Sequence, residues 1–395
     1  MGLQGILMIK VIIRGPLLSL SGYGTHSRQI FRWLLNRADI NLKVQILPWG
    51  MTPWLIDPDA EDGIVGEIMA RSSVEPNDRF DVSFQIQLPN EWDTNLAKFN
   101  VGVSAFVETD RCSPEWIDNC NSMQHIVVPS TFVKEVIENT GTVTAPISVV
   151  HESFYDALLE PEPKVNLDLG LKTDFNFLIF GQVTGQNPWT DRKNTFYMIK
   201  WLCEQFKNDA DVGIVIKTNQ GTNSSIDRKH TSTLLTKLIK EVRKGKYPKI
   251  YLLHGRLEHE EIHSVYKNEK IKALVAATRG EGFGLPMLEA AASSLPIIAT
   301  NWSGHLDFLN EGKFIKLDYN LEKIHKEKVD GKIFVEGSKW AEVKEEDFKR
   351  KVSKFRKSHK VPKIWADELG VRVRENFSFK AVSSSYDKLF AGVIG

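Results

Sequence analysis

Two carboxylates, Glu281 and Glu289, bracket the stretch Glu281-Gly-Phe-Gly-Leu-Pro-Met-Leu-Glu289. A mostly apolar run, 271–277, precedes it and a strongly helical run, 288–293, follows, so the order reads strand, glycine-rich turn, helix. Gly282 and Gly284 permit a sharp turn and a close approach of backbone amides to a ligand. Pro286, with its fixed φ and missing N–H, suits a first helical turn. Free N–H groups at a helix N-terminus attract phosphate, and here those of Phe283, Gly284 and Leu285 are the candidates. Carboxylates do not ligate phosphate, but they accept hydrogen bonds from sugar hydroxyls. The stretch therefore reads as a nucleotide-sugar site, with amides for the diphosphate and a carboxylate for the hydroxyls on either side. The bland alternative is an ordinary strand-to-helix turn carrying two surface glutamates, and the agreement of composition, order and flanking elements weighs against it.

Such a site needs strands to aim it. The first half of the chain alternates apolar strands (6–13, 42–47, 81–85, 100–107, 125–128) with amphipathic helices (25–36, 114–121, 130–139). Ser130 is placed to cap the last of these helices. A second alternating set starts at a strand over 175–181. It continues with a helix 195–206, a strand 212–217, a helix 232–243, a strand 250–254 and a helix 260–266, then the strand and helix around the glutamates. Alternation of this kind predicts α/β units with parallel, doubly wound sheets. A polar, proline-bearing stretch, 160–168, suits a linker between the two sets. There is no internal repeat and no low-complexity tract.

The glutamate spacing, inside an EGFGLPMLEA-type sequence and followed by Pro296-Ile-Ile-Ala-Thr and Ser303-Gly304, resembles the signature of the retaining GT-B glycosyltransferases of the family 4 type. The resemblance covers most of the chain and is strongest over about 250–310. It implies two Rossmann-like domains facing a central cleft: an N-terminal acceptor domain over 1–160, and a C-terminal nucleotide-sugar donor domain over 172–377. It also implies a last helix, about 378–395, that crosses back onto the first domain. In that resemblance Glu289 binds the ribose hydroxyls and Glu281 holds the donor sugar. Retention proceeds by same-face attack, with the leaving phosphate assisting proton removal.

Other motifs weigh less. Ser21-Gly22-Tyr23-Gly24-Thr25-His26 opens the first helix after a strand ending near Arg14. A dinucleotide-binding turn would need a third glycine, where Ser27 stands, and an acidic end to the second strand, where Leu47-Pro48 stands. The resemblance puts Gly22 beside the donor diphosphate; His26 is expected to pack. In 181–194 the resemblance expects an arginine just after Gly181 and a lysine before the helix. Lys193 matches the lysine, Gln182 departs from the arginine, and Arg192 is the candidate replacement. Fixed cations there would stabilise a departing nucleoside diphosphate. Lys217, ending its strand, is a third candidate cation. Glu108 ends an N-terminal strand where many relatives carry a histidine; it is a candidate for an acceptor hydroxyl or its proton, with a structural role equally open. Trp116 is expected to pack. Arg256 and Leu257 fall in the resemblance beside the nucleobase. Asp57-Pro-Asp59 and Asp209-Ala-Asp211 match a metal-binding triplet only formally, since neither ends a clear buried strand.

The bulk properties bound the rest. A length of 395 residues suits two or three domains, and 42% apolar residues supply large cores. A net charge of +1 gives no general pull toward nucleic acid. No uncharged apolar run approaches the length of a membrane span. The opening run 5–13, interrupted by Lys10, reads as a buried strand and not as a signal peptide. Three cysteines without a CxxC pair argue against zinc or a disulfide framework and for a reducing cytoplasm. The lysine-rich run 323–363 reads first as a solvated helical face. Its sharper reading is a basic surface for peripheral contact with an anionic membrane or a lipid-linked acceptor. The expected activity is a retaining, metal-independent transfer without a cofactor, from a nucleotide-sugar donor to a glycan, lipid-linked or protein acceptor. Competing readings are a nucleotide-sugar epimerase of the same architecture, a pyridoxal-phosphate glucan phosphorylase, for which the chain is short, and a non-catalytic sugar-binding relative.

Overall fold

The computed structural model describes residues 8–73, 75, 78–185, 187–219, 221 and 224–394. The chain forms two compact units. One comprises Met1–Phe106, Arg111–Glu152 and Phe379–Gly395, the other Val107–Asp110 and Ser153–Ser378.

The first unit runs β1 (Ile9–Gly15), α1 (Gly22–Leu35), β2 (Ile40–Ile46), α2 (Ile64–Ala70), β3 (Phe80–Ile86), β4 (Ala97–Val103), α3 (Glu115–Asn121), β5 (His125–Val128), α4 (Thr131–Thr140) and β6 (Ile147–Val149). Its strands make one sheet in the order β2-β1-β3-β4-β5-β6, every neighbouring pair parallel. Parallel sheets are covered on both faces, so their strands read as near-continuous apolar runs; Val11, Ile12 and Ile13 of β1 are all fully buried. Side-chain oxygens cap the helices: Ser21 Oγ accepts from the Gly24 N–H, and Ser130 Oγ from the Val133 N–H. Positions 6 and 7 of the expected first strand lie outside the described residues. β4 stops at Val103 instead of reaching 107, because Phe106 adopts a φ of +52°, which no strand residue holds. Helix α2 and strand β6, of seven and three residues, are too short for periodicity to reveal.

The second unit runs β7 (Phe175–Phe180), α5 (Thr195–Gln205), β8 (Val212–Thr218), α6 (Ser225–Val242), β9 (Lys249–His254), α7 (His259–Lys267), β10 (Ile271–Ala276), α8 (Leu285–Ala292), β11 (Ile297–Thr300), α9 (Leu306–Leu309), β12 (Ile315–Leu317), β13 (Tyr319–Lys323), β14 (Lys339–Val343), α10 (Glu345–Lys357) and α11 (Lys360–Asn376). Six strands form a parallel sheet in the order β12-β11-β10-β7-β8-β9. Alternate side chains feed two cores. Leu178, Val215 and Leu274 face Leu288 and Ala291 of α8. Phe177, Ile214 and Ala273 face Trp201, Phe348 and Phe355. β13 and β14 pair antiparallel with one another, outside this sheet. Phe154 and Leu158 already belong to this unit's core. The strand order reverses between β7 and β10, and ligands in such sheets bind at the carboxyl ends beside that switch point.

The last helix, α12 (Phe379–Phe390), packs in the first unit, where Val382, Tyr386 and Phe390 are buried and Trp33 stacks on Tyr386 at 4.8 Å. The lysine-rich run contains α10, which buries Phe348, Val352 and Phe355 on one face. Its cations are largely paired: Lys349 with Glu204 at 2.6 Å, Lys351 with Asp347 at 2.7 Å and Arg356 with Asp209 at 3.0 Å. Among the described residues no helix is long and apolar enough to cross a membrane.

Candidate functional site

The loops leaving β7 and β10 flank the switch point of the second unit, and both carry charge. Glu281 is 6% exposed. Lys193 Nζ donates to both of its carboxylate oxygens at 2.7 Å. Arg192 Nη1 donates to Glu281 Oε2 at 3.3 Å and to the Gly280 carbonyl at 2.6 Å, while its Nη2 pairs with Glu108 Oε1 at 3.1 Å. Burial alone would push the Glu281 carboxyl up, but Lys193 and Arg192 hold it down to about 2. Arg192 stays charged against the cost of burial, beside Glu108 and Glu281. The Glu281 N–H donates to Ser303 Oγ at 2.9 Å. Ser303 Oγ lies 3.4 Å from His305 Nδ1, and His305 Nε2 lies 2.7 Å from the Thr300 carbonyl. A carbonyl only accepts, which assigns the ring proton to Nε2 and leaves Nδ1 to accept from the serine. Burial lowers the His305 pKa and keeps the ring neutral.

Glu289, 5% exposed, has different company. The Tyr266 hydroxyl donates to its Oε2 at 3.0 Å. Burial pushes the Glu289 carboxyl up to about 8, although Tyr266 and the Lys217 ammonium draw it down. Burial in turn brings Lys217 down to about 8, against the pull of Glu289. Lys217 Nζ also donates to the Gly255 carbonyl at 2.6 Å and to Asn219 Oδ1 at 2.9 Å. At neutral pH the two glutamates therefore stand in opposite states, Glu281 ionised between cations and Glu289 largely protonated against a tyrosine. Groups held apart in this way mark acid and base roles or distinct ligand contacts.

Local sequence explains the placement. Gly284, at φ +104°, caps α8; a Cβ there would lie 2.9 Å from Met287 Cε and 3.1 Å from His305 Cβ. That turn leaves Phe283 and Leu285 on either side of the helix start. A Cβ on Gly280 would lie 2.3 Å from the Glu108 carbonyl, so this glycine lets the 107–110 segment approach and set Glu108 beside Arg192. In the β7 loop, buried Asp191 accepts from the Thr184 N–H at 2.9 Å and the Thr195 N–H at 2.7 Å, tying the loop to the start of α5.

Arg256 pairs with Glu258 at 2.8 Å, and Leu257 packs against the core that contains α8. Gln182 is exposed, and the second cation on Glu281 is Arg192. Gly22 begins α1 in the first unit; a Cβ there would meet nothing within 4 Å, whereas one on Gly24 would sit 2.0 Å from the Ser19 carbonyl. Gly24 is thus the glycine that local packing requires. His26 is buried with Nε2 at 3.3 Å from the Tyr386 hydroxyl, and Trp116 is buried edge-on to Phe106. Asp209 is held by Arg356, and among the described residues no group of three or more His, Cys, Asp or Glu is arranged to hold a metal.

Three solved structures share this architecture along nearly their whole length. The sucrose-phosphate synthase of Thermosynechococcus elongatus superposes with a TM-score of 0.64 at 11% identity, over 97% of this chain and 98% of its own. A glycosyltransferase of Rickettsia africae ESF-5 gives 0.64 at 12%, over 98% and 99%. Alr3699/HepE of Anabaena, solved with UDP and glucose, gives 0.60 at 12%, over 97% and 100%. At such identities these likenesses establish the fold. No curated protein matches the chain by sequence. Residues 232–330, which contain both glutamates, match the family of glycosyl transferases group 1. The chain has the GT-B fold, and its segment 232–330 is that of the glycosyl transferases group 1. Several residues at the site carry no linear signal. Tyr266 reads in sequence as one more apolar helix position, and His305 as a loop residue. Asp191 and Arg279 sit next to recognised positions, where an acid beside two basic residues and an arginine two residues ahead of Glu281 were available clues.

Proposed function

We propose that the chain transfers a sugar from a nucleoside diphosphate sugar to an acceptor hydroxyl, with retention and without a metal. One observation carries this reading: two buried glutamates lie on either side of the Gly284 helix start, the first paired with Lys193 and Arg192 and the second with Tyr266. Alr3699/HepE was solved with UDP and glucose, which supports a nucleoside diphosphate donor. The cluster of Arg192, Lys193, Glu108 and Glu281 carries two positive and two negative charges and is neutral. An entering diphosphate draws the two cations toward itself and frees the Glu281 carboxylate for the sugar hydroxyls. The amides of Phe283, Gly284 and Leu285 and the Lys217 ammonium add donors. As the bond from the anomeric carbon to phosphate breaks and the bond to the acceptor oxygen forms, the acceptor proton passes to the departing phosphate. The charge growing there meets cations already in place, which lowers the barrier without reorganisation. Glu108 holds Arg192 in position, and Glu289 accepts from the ribose hydroxyls.

The test is a thermal-shift and hydrolysis panel of UDP-, GDP-, ADP- and dTDP-sugars with and without EDTA. Stabilisation by one base, scaling with ligand excess over its Kd, together with EDTA-resistant release of that diphosphate, is expected. No shift with any nucleotide removes the donor site, and a response lost in EDTA removes the metal-free reading.

The role of Glu289 makes a pH prediction. Its pKa is raised to about 8, so at pH 7 it is mostly protonated. A carboxylate accepting two hydroxyls is favoured in its ionised form. Nucleoside diphosphate binding near pH 7 is therefore expected to release up to about one proton. Calorimetry in buffers of different ionisation enthalpy reads this directly, and proton uptake or no exchange would remove Glu289 from the ribose.

The same shift sets a stability term. The carboxyl is raised above its unfolded value of 4.5, so its contribution is complete below pH 4.5 and is lost as pH rises through about 8. Glu289→Gln is accordingly expected to raise Tm by several degrees at pH 8.5 relative to the parent, and by little at pH 5.

A further inference from the structure

The Arg279 side chain is 2% exposed and lies two residues ahead of Glu281. A guanidinium so deeply buried is tolerated only when its charge is met, and here Glu342 and carbonyls of the cation-bearing loop meet it. Arg279 Nη1 donates to the carbonyls of Pro188 at 2.6 Å and Asp191 at 2.7 Å. Its Nη2 donates to Glu342 Oε2 at 3.0 Å, and its Nε lies 2.5 Å from Glu342 Oε1. The Trp340 indole lies 5.1 Å from the guanidinium and donates its N–H to Glu342 Oε1 at 3.0 Å. On the backbone, the Arg279 N–H donates to the Arg192 carbonyl at 2.9 Å, and the Arg279 carbonyl accepts from the Ala341 N–H at 2.9 Å.

One arginine thus ties residues 188, 191 and 192 of the β7 loop to β14, a strand outside the six-stranded sheet. The same hairpin reaches the loop again through Glu327, whose Oε2 accepts from Trp189 Nε1 at 3.0 Å and Asn187 Nδ2 at 3.1 Å. Arg192 and Lys193 come directly after the anchored carbonyl of Asp191. We propose that Arg279, clamped by Glu342 of the β13–β14 hairpin, is a positioning residue that fixes the backbone of Arg192 and Lys193 so that both cations meet the donor diphosphate. This rests on the donor reading above. A planar fork with several fixed donors spans two loop carbonyls and a carboxylate at once, which a lysine ammonium cannot do.

The experiment places Arg279→Lys and Glu342→Gln in two backgrounds, the native chain and an Arg192→Ala/Lys193→Ala variant. The readouts are kcat/KM for diphosphate release from the panel donor that raises Tm most, and the Kd of its nucleoside diphosphate by calorimetry. In the native background Arg279→Lys is expected to lower kcat/KM by about 10- to 100-fold, the scale of a misplaced catalytic group, and to weaken the Kd. Without the two cations the same substitution is expected to change the Kd by less than about threefold, because residues acting as one unit are not additive. Glu342→Gln follows the same pattern with a smaller fall. Equal losses in both backgrounds overturn the proposal, since Arg279 would then act through general stability. If Arg279→Lys does not fold, Glu342→Gln decides alone, and a Kd unchanged in the native background overturns it. If removing Arg192 and Lys193 alters neither readout, the donor reading fails and takes this inference with it. A clear dependence on the two cations with indifference to Arg279 and Glu342 fails the positioning role alone.

Discussion

Lys193→Ala is expected to lower kcat/KM for the donor by roughly 10²- to 10³-fold, the usual loss when one fixed group facing developing charge is removed. Lys193 Nζ contacts both oxygens of Glu281 at 2.7 Å and is the closer of the two cations on that carboxylate. With it gone, the proposed leaving group loses its nearest counter-charge, and Arg192, shared with Glu108, is left to serve alone. The fold should survive. Breaking a buried pair costs about 3–5 kcal/mol when the remaining charge has no partner, and Glu281 keeps Arg192. Steady-state kinetics on the panel donor, with a melting curve as control, measures the effect. A fall of less than about tenfold in a well-folded variant would show that Lys193 only neutralises Glu281.

Glu281→Gln is expected to divide binding from turnover. The amide keeps the shape and removes the negative charge, so Lys193 and Arg192 become free for phosphate. Nucleoside diphosphate should bind at least as tightly as in the parent. Turnover should fall by roughly 10²- to 10³-fold, because the carboxylate proposed to hold the sugar and face charge at the anomeric carbon is gone. Affinity and kcat then move in opposite senses. A merely structural Glu281 would lower both together, through loosening of the loops that meet at the switch point. Calorimetry for the diphosphate and single-turnover kinetics for the donor separate the two cases.

Much of this protein was legible along the chain. The strand–turn–helix order around Glu281 and Glu289 and the need for glycine at 284 are local properties, and the lysine before α5 is what the family resemblance implies. The first two follow from backbone φ and helix-end donors, and all three appear in the structure as β10, a Gly284 cap at φ +104° and Lys193 at the start of α5. The parallel sheets followed from the alternation of apolar strands with amphipathic helices. The last helix, which the family resemblance implies over about 378–395, is α12 at Phe379–Phe390. The seven-residue α2 was not read along the chain, because periodicity needs two or more turns to show.

Tertiary structure alone decided what the charges do. Glu281 and Glu289 are the same residue type eight positions apart, yet one is held to about 2 and the other pushed to about 8. Burial is common to both; the difference is made by Lys193 and Arg192, 88 and 89 residues away in sequence, which hold Glu281 down. Glu108 reads along the chain as the end of a strand. In the fold it stands in a loop past the positive φ of Phe106 and pairs with Arg192 in the second unit. The sequence by itself determined which groups can bind a phosphate or a hydroxyl, since that is set by residue type and the local turn. Which carboxylate is charged, and which arginine holds the loop, depends on partners brought together across the sheet's switch point, and a dielectric and a distance exist only once the chain has folded.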